Sequence, residues 1–396
     1  MTDRYDIVIV GAGPAGATLA LTLAALPLRI AVLEANPLLQ HSATAQDSKA
    51  LALTYGSMRI LDRIGIWPTL APHATTIAAV HVSDRGHFGF TRINAEDEKV
   101  PALGAVIPAA ILAATLQQTL RSTPQLTLIN PARVQTIAHT KQDWQLELET
   151  DTGKQVIAAE LIIAADGTNS TIRQLLHLAT EKKDYLQNAL TTTITLSRSH
   201  QNRAYERFIA NGALAMLPLA HLQCGSVWTG PSANIHSLMA LSDEAFLAEL
   251  QKMFGYRLGR FVQVGKRHSH PLSMLYTKEA VQPGLVLIGN AAQTLHPIAA
   301  QGFNLGLSDV AILHKIIAGA VTKKQPLNKA ELFTPYLQNK QQTIEWSLKF
   351  TDNLTRFFSH DFLPLTLARN SSLLALDLIP PLKHRLAKRL MGVSPK

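Results

Sequence analysis

The chain has 396 residues, 47% of them hydrophobic, which is enough for two domains with sizeable cores and excludes a disordered protein. Its formal charge is +9, but the basic residues are scattered and not interleaved with aromatics, so nucleic acid is set aside and an anionic membrane surface or an anionic cofactor remains. The single cysteine, Cys224, excludes an internal disulfide and a cysteine-based zinc site, and no carboxylate or thiol lies close in sequence to His268 and His270, so no metal is expected.

Tyr5 to Val10 is a short β-branched run of the kind found in buried parallel strands. Gly11, Ala12, Gly13, Pro14, Ala15 and Gly16 follow at once as G-x-G-x-x-G, and Ala17 to Leu26 is helical by propensity. Arg29 to Leu33 reads as a second strand with Glu34 at its end. In such a unit Gly11 permits the tight turn, Gly13 lets the backbone approach a pyrophosphate, and Gly16 lets helix and strand pack closely. The helix N-terminus offers free N–H groups to the phosphates, and Glu34 can accept from a ribose. A rival reading is a membrane helix, because Ile7 to Leu28 carries no charged residue. Three glycines and Pro14 within six residues argue against it, and no basic leader or cleavage pattern marks a secretory signal.

Further along, Gly56 to Leu61 reads as the start of a helix that ends at Gly65 to Pro68. Val80 to Ile93 alternates around Asp84-Arg85-Gly86 as a β-hairpin. Ala109 to Leu120 is an Ala/Leu helix. Leu126 to Ile129, Arg133 to His139, Trp144 to Leu148 and Val156 read as a small antiparallel meander inserted into the parallel sheet. Glu160 to Ala165 is another buried strand, and it delivers Asp166-Gly167 to the edge where ligands bind in open α/β sheets. The alternative for Asp166 to Ser170 is a turn that caps the next helix, and the two are compatible.

Ala189 to Leu196, Ala204 to Ala210, Ala213 to Leu219 and Gly225 to Thr229 suggest one antiparallel sheet, the body of a second domain. Asp243 to Phe254 reads as a helix and Val262 to His268 as a strand. Gly284 to Ile288 is a third buried strand that ends in Gly289-Asn290, and a helix runs from about Leu305 to Ala320. The turn from Pro297 to Asn304 presents N–H groups that can stabilise negative charge, or it is only a close packing turn. Phe350 to Phe358 and Leu363 to Leu376 read as helices. After Pro380-Pro381, Leu382, Leu386 and Leu390 form a stripe with Lys383, Arg385, Lys388 and Arg389 on other faces. That helix either lies on an anionic membrane or packs as an end helix.

The three stretches Gly11 to Gly16 with Glu34, Asp166-Gly167, and Gly289-Asn290 resemble the fingerprints of FAD-dependent aromatic hydroxylases with the p-hydroxybenzoate hydroxylase fold. Asp47 to Leu53, Gly65-Ile66-Trp67, Ala213 to Leu219 and Gly289 to Pro297 are similar to the ubiquinone-biosynthesis hydroxylases in particular. Within that family, His81 to His87 resembles members acting on a 2-polyprenyl-6-methoxyphenol.

The resemblance implies an α/β fold: a Rossmann-like FAD-binding domain with a three-stranded β-meander, interleaved with an antiparallel-sheet substrate domain and a helical C-terminus. Residues 1–75, 109–180 and 276–330 would form the FAD-binding domain, 76–108 and 181–275 the substrate domain, and 331–396 the helical region. Gly11, Gly13, Pro14, Ala15 and Gly16 would hold the FAD pyrophosphate, Glu34 the adenosine ribose, and Val134 the adenine. Lys49 stands where the family has Arg and would grip the flavin. Asp166 would support the cofactor near its phosphates, with Gly289 and Asn290 at the ribityl region. Pro297, Gln301, Gly302, Phe303 and Asn304 would lie along the isoalloxazine.

The implied activity is a monooxygenase that hydroxylates a polyprenylated phenol with O₂ through a C4a-hydroperoxyflavin. With no second dinucleotide fingerprint present, NAD(P)H, if it is the donor, would bind transiently, and other reductants stay open. No side chain stands out as the catalytic base. The implied location is cytoplasmic and peripheral on the inner membrane, with other quinone-biosynthesis proteins as partners. Two other readings stand beside it: a sister hydroxylase acting at another ring carbon, and a flavin-holding scaffold without turnover, suggested by Lys49 and by Ala300 in place of a family Gly.

Overall fold

The computed structural model describes residues 2–38, 50–140, 143–294, 301–345 and 363–393. Lys49, Pro297, Ala300 and the expected helix Phe350 to Phe358 lie outside them. The first unit is built on a sheet in which Leu285–Leu287, Gly153–Ala164, Asp3–Val10, Ile30–Leu33 and Leu126–Ile129 run parallel in that order. The membrane-helix reading of Ile7 to Leu28 is overturned, because this stretch is a strand, the Gly turn, the helix Pro14–Leu23 and a loop to the next strand.

Ile7 and Ile9 point to one side of Asp3–Val10, Val8 and Val10 to the other, and all are buried because both faces are covered. On one side Leu19 and Leu23 of the first helix meet Leu112 and Leu116 of Ala109–Arg121 and Val310, Leu313 and Ile317 of Gln301–Thr322. On the other side Val134, Leu146 and Leu148 of the meander close the core. Gly302–Thr322 is long and apolar enough to cross a membrane, but its Leu307, Val310, Leu313 and Ile317 are fully buried against this sheet.

Two expectations about the meander are corrected. Leu126–Ile129 pairs parallel with Ile30–Leu33 and so belongs to the parallel sheet. A four-residue apolar run carries no signal for the direction of its partner. Val156 and Glu160 to Ala164 lie in one strand, Gly153–Ala164, which pairs antiparallel with Trp144–Thr150 and parallel with Asp3–Val10. Its first residues face solvent and its last are buried on both sides, and that change of environment reads in the sequence as two elements. The meander is therefore Ala132–His139, Trp144–Thr150 and the start of Gly153–Ala164.

The second unit is a nine-stranded sheet whose main path includes His268–Thr277, Thr180–Leu196, Gln223–Pro231, Gly212–Pro218, Arg203–Ile209, Ala79–Asp84 and Phe90–Asn94. The four strands read as one antiparallel sheet do pair antiparallel, and Ala79–Asp84 joins them parallel to Arg203–Ile209. Ala79–Asp84 and Phe90–Asn94 form the expected hairpin. The expected strand Val262 to His268 divides at Gly265 into Phe261–Val264 and the start of His268–Thr277.

Helices Ser232–Ala240 and Asp243–Phe254 cover one face over Trp228, Phe246 and Phe254. The second of these begins where the Ser242 side chain accepts from Ala245 N at 3.2 Å and ends at Gly255, whose φ is +86°. A small sheet of Ala50–Thr54, Gly104–Pro108 and Thr75–Ile77 joins the two units.

The last helix, Pro380–Leu390, is docked on the body, as the end-helix reading has it. The two prolines occupy the first helical turn, where a missing N–H costs nothing. Ala387 and Met391 are buried with Val106 and Ala204, and the Gly56 amide donates to the Met391 carbonyl at 2.8 Å. His384 Nδ1 lies 2.7 Å from Glu98 Oε1.

Candidate functional site

The Gly turn separates two kinds of glycine. Gly11 has φ +104°, and a Cβ there would sit 2.6 Å from the Ala165 carbonyl oxygen. A Cβ on Gly16 would overlap the Gly11 carbonyl oxygen. Both positions are set by packing. A Cβ on Gly13 would meet nothing within 4 Å, so the free space at Gly13 belongs to the cleft. Pro14 opens the helix, leaving the amides of Ala15 and Gly16 as first-turn donors without helical partners.

Glu34 fastens this turn as well as facing the cleft. Its Oε2 accepts from Ala12 N at 2.8 Å and its Oε1 from Asn36 N at 2.9 Å. Each oxygen keeps acceptor capacity for a ribose hydroxyl. Val134, on the meander, lines the same end of the cleft.

Asp166 stands at the C-terminal end of the central strands. Its Oδ2 accepts from Ile172 N at 3.1 Å, while its Oδ1 is buried with no hydrogen-bond partner. Ser170 caps the short helix Thr171–Leu175 through Arg173 N at 3.1 Å, so the capping reading and the ligand-edge reading both describe this turn. The buried Arg173 donates to the Ala291 carbonyl at 2.9 Å, which ties the Asp166 turn to the Gly289 turn.

Gly289 has φ +54°, and its amide donates to Asp309 Oδ2 at 2.9 Å. Lys340 Nζ donates to the same oxygen at 3.0 Å and to Tyr336 Oη at 2.8 Å, and Tyr336 donates to the Leu287 carbonyl at 2.7 Å. All three side chains are buried. Burial pulls the Lys340 ammonium below its ordinary range, and the Asp309 carboxylate opposes that pull. Burial, followed by Asp309, pushes the Tyr336 hydroxyl well above its ordinary range, so it remains a donor. The sequence reading missed this network, because Asp309 lies on one helix and Tyr336 and Lys340 on another, with no motif between them.

The cleft runs for about 1020 Å³ from Glu34 and Val134, past Gly13, Asp166, Gly289 and Asn290, to Gly302 and Phe303 at the start of Gln301–Thr322. Its far end is walled by Ala50, Leu51 and Ala52 and by Thr191, Leu217 and Val227 of the nine-stranded sheet. Asn304 is turned away from the cleft. Its Oδ1 accepts from Thr54 N at 2.9 Å and Ser57 Oγ at 2.8 Å, and its Nδ2 donates to the Ala52 carbonyl at 2.9 Å. It clamps the helix start to the strand Ala50–Thr54. Gln301 begins that helix.

The residues present fit a flavin dinucleotide. The unpartnered Asp166 Oδ1 and the open space over Gly13 are what a bound hydroxyl and a pyrophosphate would fill. The FAD binding domain family matches residues 4–332. "Ubiquinone hydroxylase UbiL" of Rhodospirillum rubrum is 32% identical over 98% of this chain and 89% of its own. The chain is an FAD-dependent hydroxylase of the ubiquinone-biosynthesis family.

Another member, the "3-demethoxyubiquinol 3-hydroxylase" of Escherichia coli, is 29% identical over 99% of this chain and 100% of its own. The fold is shared with p-nitrophenol 4-monooxygenase PnpA from Pseudomonas putida, at a TM-score of 0.80 and 15% identity over 100% of both chains. Membership in the ubiquinone-hydroxylase family makes the chain a monooxygenase, and the scaffold reading falls.

Proposed function

We propose that this hydroxylase acts on the ring of a polyprenylated phenol of the 2-polyprenyl-6-methoxyphenol type. The observation that carries the reading is the far end of the cleft, where the apolar wall of Ala50, Leu51, Ala52, Leu217 and Val227 meets the helix start at Gly302. FAD, when bound, supplies O₂ activation and the oxygen delivered to the ring. Ala15 and Gly16 would hold its pyrophosphate with Asp166 nearby, Glu34 and Val134 its adenosine, and Gly289 and Asn290 its ribityl region. The first-turn amides of Gln301–Thr322 would stabilise negative charge on the flavin ring. The apolar wall would hold the phenol ring and exclude water. The Escherichia coli relative, a 3-demethoxyubiquinol 3-hydroxylase, supports a second reading, hydroxylation at another ring carbon.

A nicotinamide donor would bind transiently. A bilayer-resident substrate requires approach to the membrane, and the surface proposed for it is the corner between Leu363–Leu378 and Pro380–Leu390. There Leu378, Ile379 and Leu382 are 75%, 47% and 46% exposed. The protein would thus sit peripherally on the cytoplasmic face of the inner membrane, beside other quinone-biosynthesis proteins. The test is incubation of the reduced, FAD-loaded protein with ¹⁸O₂ and short-chain prenylated phenols carrying different ring positions free. One labelled oxygen on the ring is expected, and its position separates the two readings. Flavin turnover with every phenol unchanged would overturn both.

A further inference from the structure

None of the residues His81 to His87 lines the cleft. The strand register places their side chains. Tyr205, His81 and Arg92 form one row across three strands, and Arg207, Ser83 and Phe90 form the next. Arg203, two residues before Tyr205, shares their face. Tyr205 also pairs with Met216, which is buried with Trp228 and Phe246 beneath the helices, so this face is opposite the one that lines the cleft.

Arg257 reaches onto this face from the loop after Asp243–Phe254. Its Nη1 lies 2.6 Å from His81 Nε2 and 3.3 Å from Ser83 Oγ. A guanidinium only donates, so His81 Nε2 accepts and the ring is neutral, with its proton on Nδ1. Burial, and then the charges of Arg257, Arg92, Arg203 and Arg207, lower the His81 pKa to about 4, in keeping with that tautomer. The ring stacks on Phe90 at 5.7 Å between centroids, and Arg92 lies 4.8 Å over the same phenyl ring.

Arg207 stands in the field of Arg257 and Arg85, and its Nε is buried with no hydrogen-bond partner. Among the described residues no carboxylate lies within ion-pair distance of Arg85, Arg92, Arg203, Arg207 or Arg257. Asp84 acts on Arg207 from a distance and accepts from Asn370 Nδ2 at 3.2 Å. Five guanidinium groups held together with no ion-paired carboxylate, and only Asp84 opposing them from a distance, repel one another, and a bound anion relieves that repulsion. Two of them are already oriented: Arg257 by His81 and Ser83, and Arg92 by the Phe90 ring.

We propose that this face is a binding site for a phosphate-bearing anion, held by the forks of Arg207 and Arg257 with Arg85, Arg92 and Arg203 around it. Planar guanidinium groups match phosphate oxygens in pairs, which a scattered set of lysines would not do. Two sources carry this chemistry, a soluble polyphosphate and the headgroup of an anionic phospholipid. The site lies across the sheet from the cleft and holds whether or not the phenol reading does.

The experiment uses the FAD-loaded full chain, with Arg207→Gln and Arg257→Gln made separately. Pyrophosphate binding is followed by calorimetry, and co-sedimentation with phosphatidylglycerol vesicles is measured alongside. Each substitution is expected to weaken the binding by about tenfold or more, the loss of one charge-assisted contact, with flavin content unchanged. Arg257 is exposed on a loop, so its variant keeps the test available if Arg207→Gln does not fold. Pyrophosphate binding that the variants weaken identifies a soluble ligand. Vesicle binding alone that they weaken identifies a headgroup, with Arg385→Gln/Lys388→Gln/Arg389→Gln as the control for the last helix. Binding of neither probe by the wild type, or equal binding by the variants, overturns the proposal.

Discussion

Asp309 fixes the backbone of Gly289: its Oδ2 accepts the Gly289 amide at 2.9 Å while the same oxygen holds the Lys340 ammonium at 3.0 Å. A glycine at the edge of the cleft is thus positioned from behind by a buried ion pair. Such a pair gives little net stability over an apolar substitute, but removing one partner strands a charge at a cost of about 3–5 kcal/mol.

Lys340→Met is therefore expected to lower the free energy of unfolding by about 3–5 kcal/mol, and to speed FAD release as the Gly289 turn loosens. The double variant Asp309→Asn/Lys340→Met strands no charge and should recover part of the stability. Urea titrations of the three forms measure the first effect, and flavin release at equal folded fraction measures the second. A single variant with the wild-type midpoint would show that the pair is dispensable.

Gly13 and Gly16 are expected to fail in different ways. A Cβ at Gly13 meets no protein atom within 4 Å, so Gly13→Val should fold with the circular dichroism spectrum and melt of the flavin-free wild type and lose its bound flavin. Valine at Gly16 would collide with the Gly11 carbonyl, and Gly16→Val should fail to fold. Flavin absorbance per mole of folded protein is the readout. Wild-type flavin content in Gly13→Val would remove the pyrophosphate from that position.

The contrast between these glycines shows what was legible in the sequence. The order of strand, Gly turn, helix, strand and acid is local, and it appears in the fold as read. The roles within it are not local. Gly11, for example, is held by packing against Ala165, some 150 residues away. Likewise the family resemblance puts Asn304 along the flavin, while its side chain is held by Ala52, Thr54 and Ser57. Helical spacing decided that, and a turn read as a string of residues could not show it. Asp309 and Lys340 meet only through tertiary packing, so nothing in either helix alone announces them.

Glu206 gives a pH prediction. Through Ala215 it shares a cross-strand row, and hence a face, with the cleft residue Val227. It is walled in by protein yet keeps a small exposed surface, and burial lifts its carboxyl from 4.5 to about 7. Between these values the folded chain holds a proton that the unfolded chain has lost. Stability contributed by this group is therefore lost as pH rises through that window and is constant above it. The full effect is about 3 kcal/mol, reduced by the solvent that reaches the side chain. Glu206→Gln removes the titration, so the variant should be more stable than the wild type at pH 8 by about 2 kcal/mol and close to it at pH 4.5. Denaturant midpoints of both forms at the two pH values measure the gap. A gap that does not change with pH would show that Glu206 titrates normally.

The docked position of the last helix changes which residues can meet a membrane. Ala387 and Met391 are buried in the body, so the helix does not lift away as a free amphipathic anchor. Lys383 is drawn back to the Asp377 carbonyl at 3.2 Å. What faces outward is the corner of Leu378, Ile379 and Leu382 with the exposed Arg385, Lys388 and Arg389. Each cation near an anionic surface contributes about 1 kcal/mol, and salt screens that part. The apolar corner contributes by burial, which salt does not screen. Replacing Arg385, Lys388 and Arg389 with Gln is thus expected to lower co-sedimentation with phosphatidylglycerol vesicles at low salt and to leave the residual binding at high salt unchanged. Replacing Leu378, Ile379 and Leu382 with Ser should lower binding at both. Neither set touches the buried contacts of Ala387 and Met391, so flavin content and melting should stay at wild-type values. If both variants sediment like the wild type at both salt concentrations, this corner does not meet the membrane.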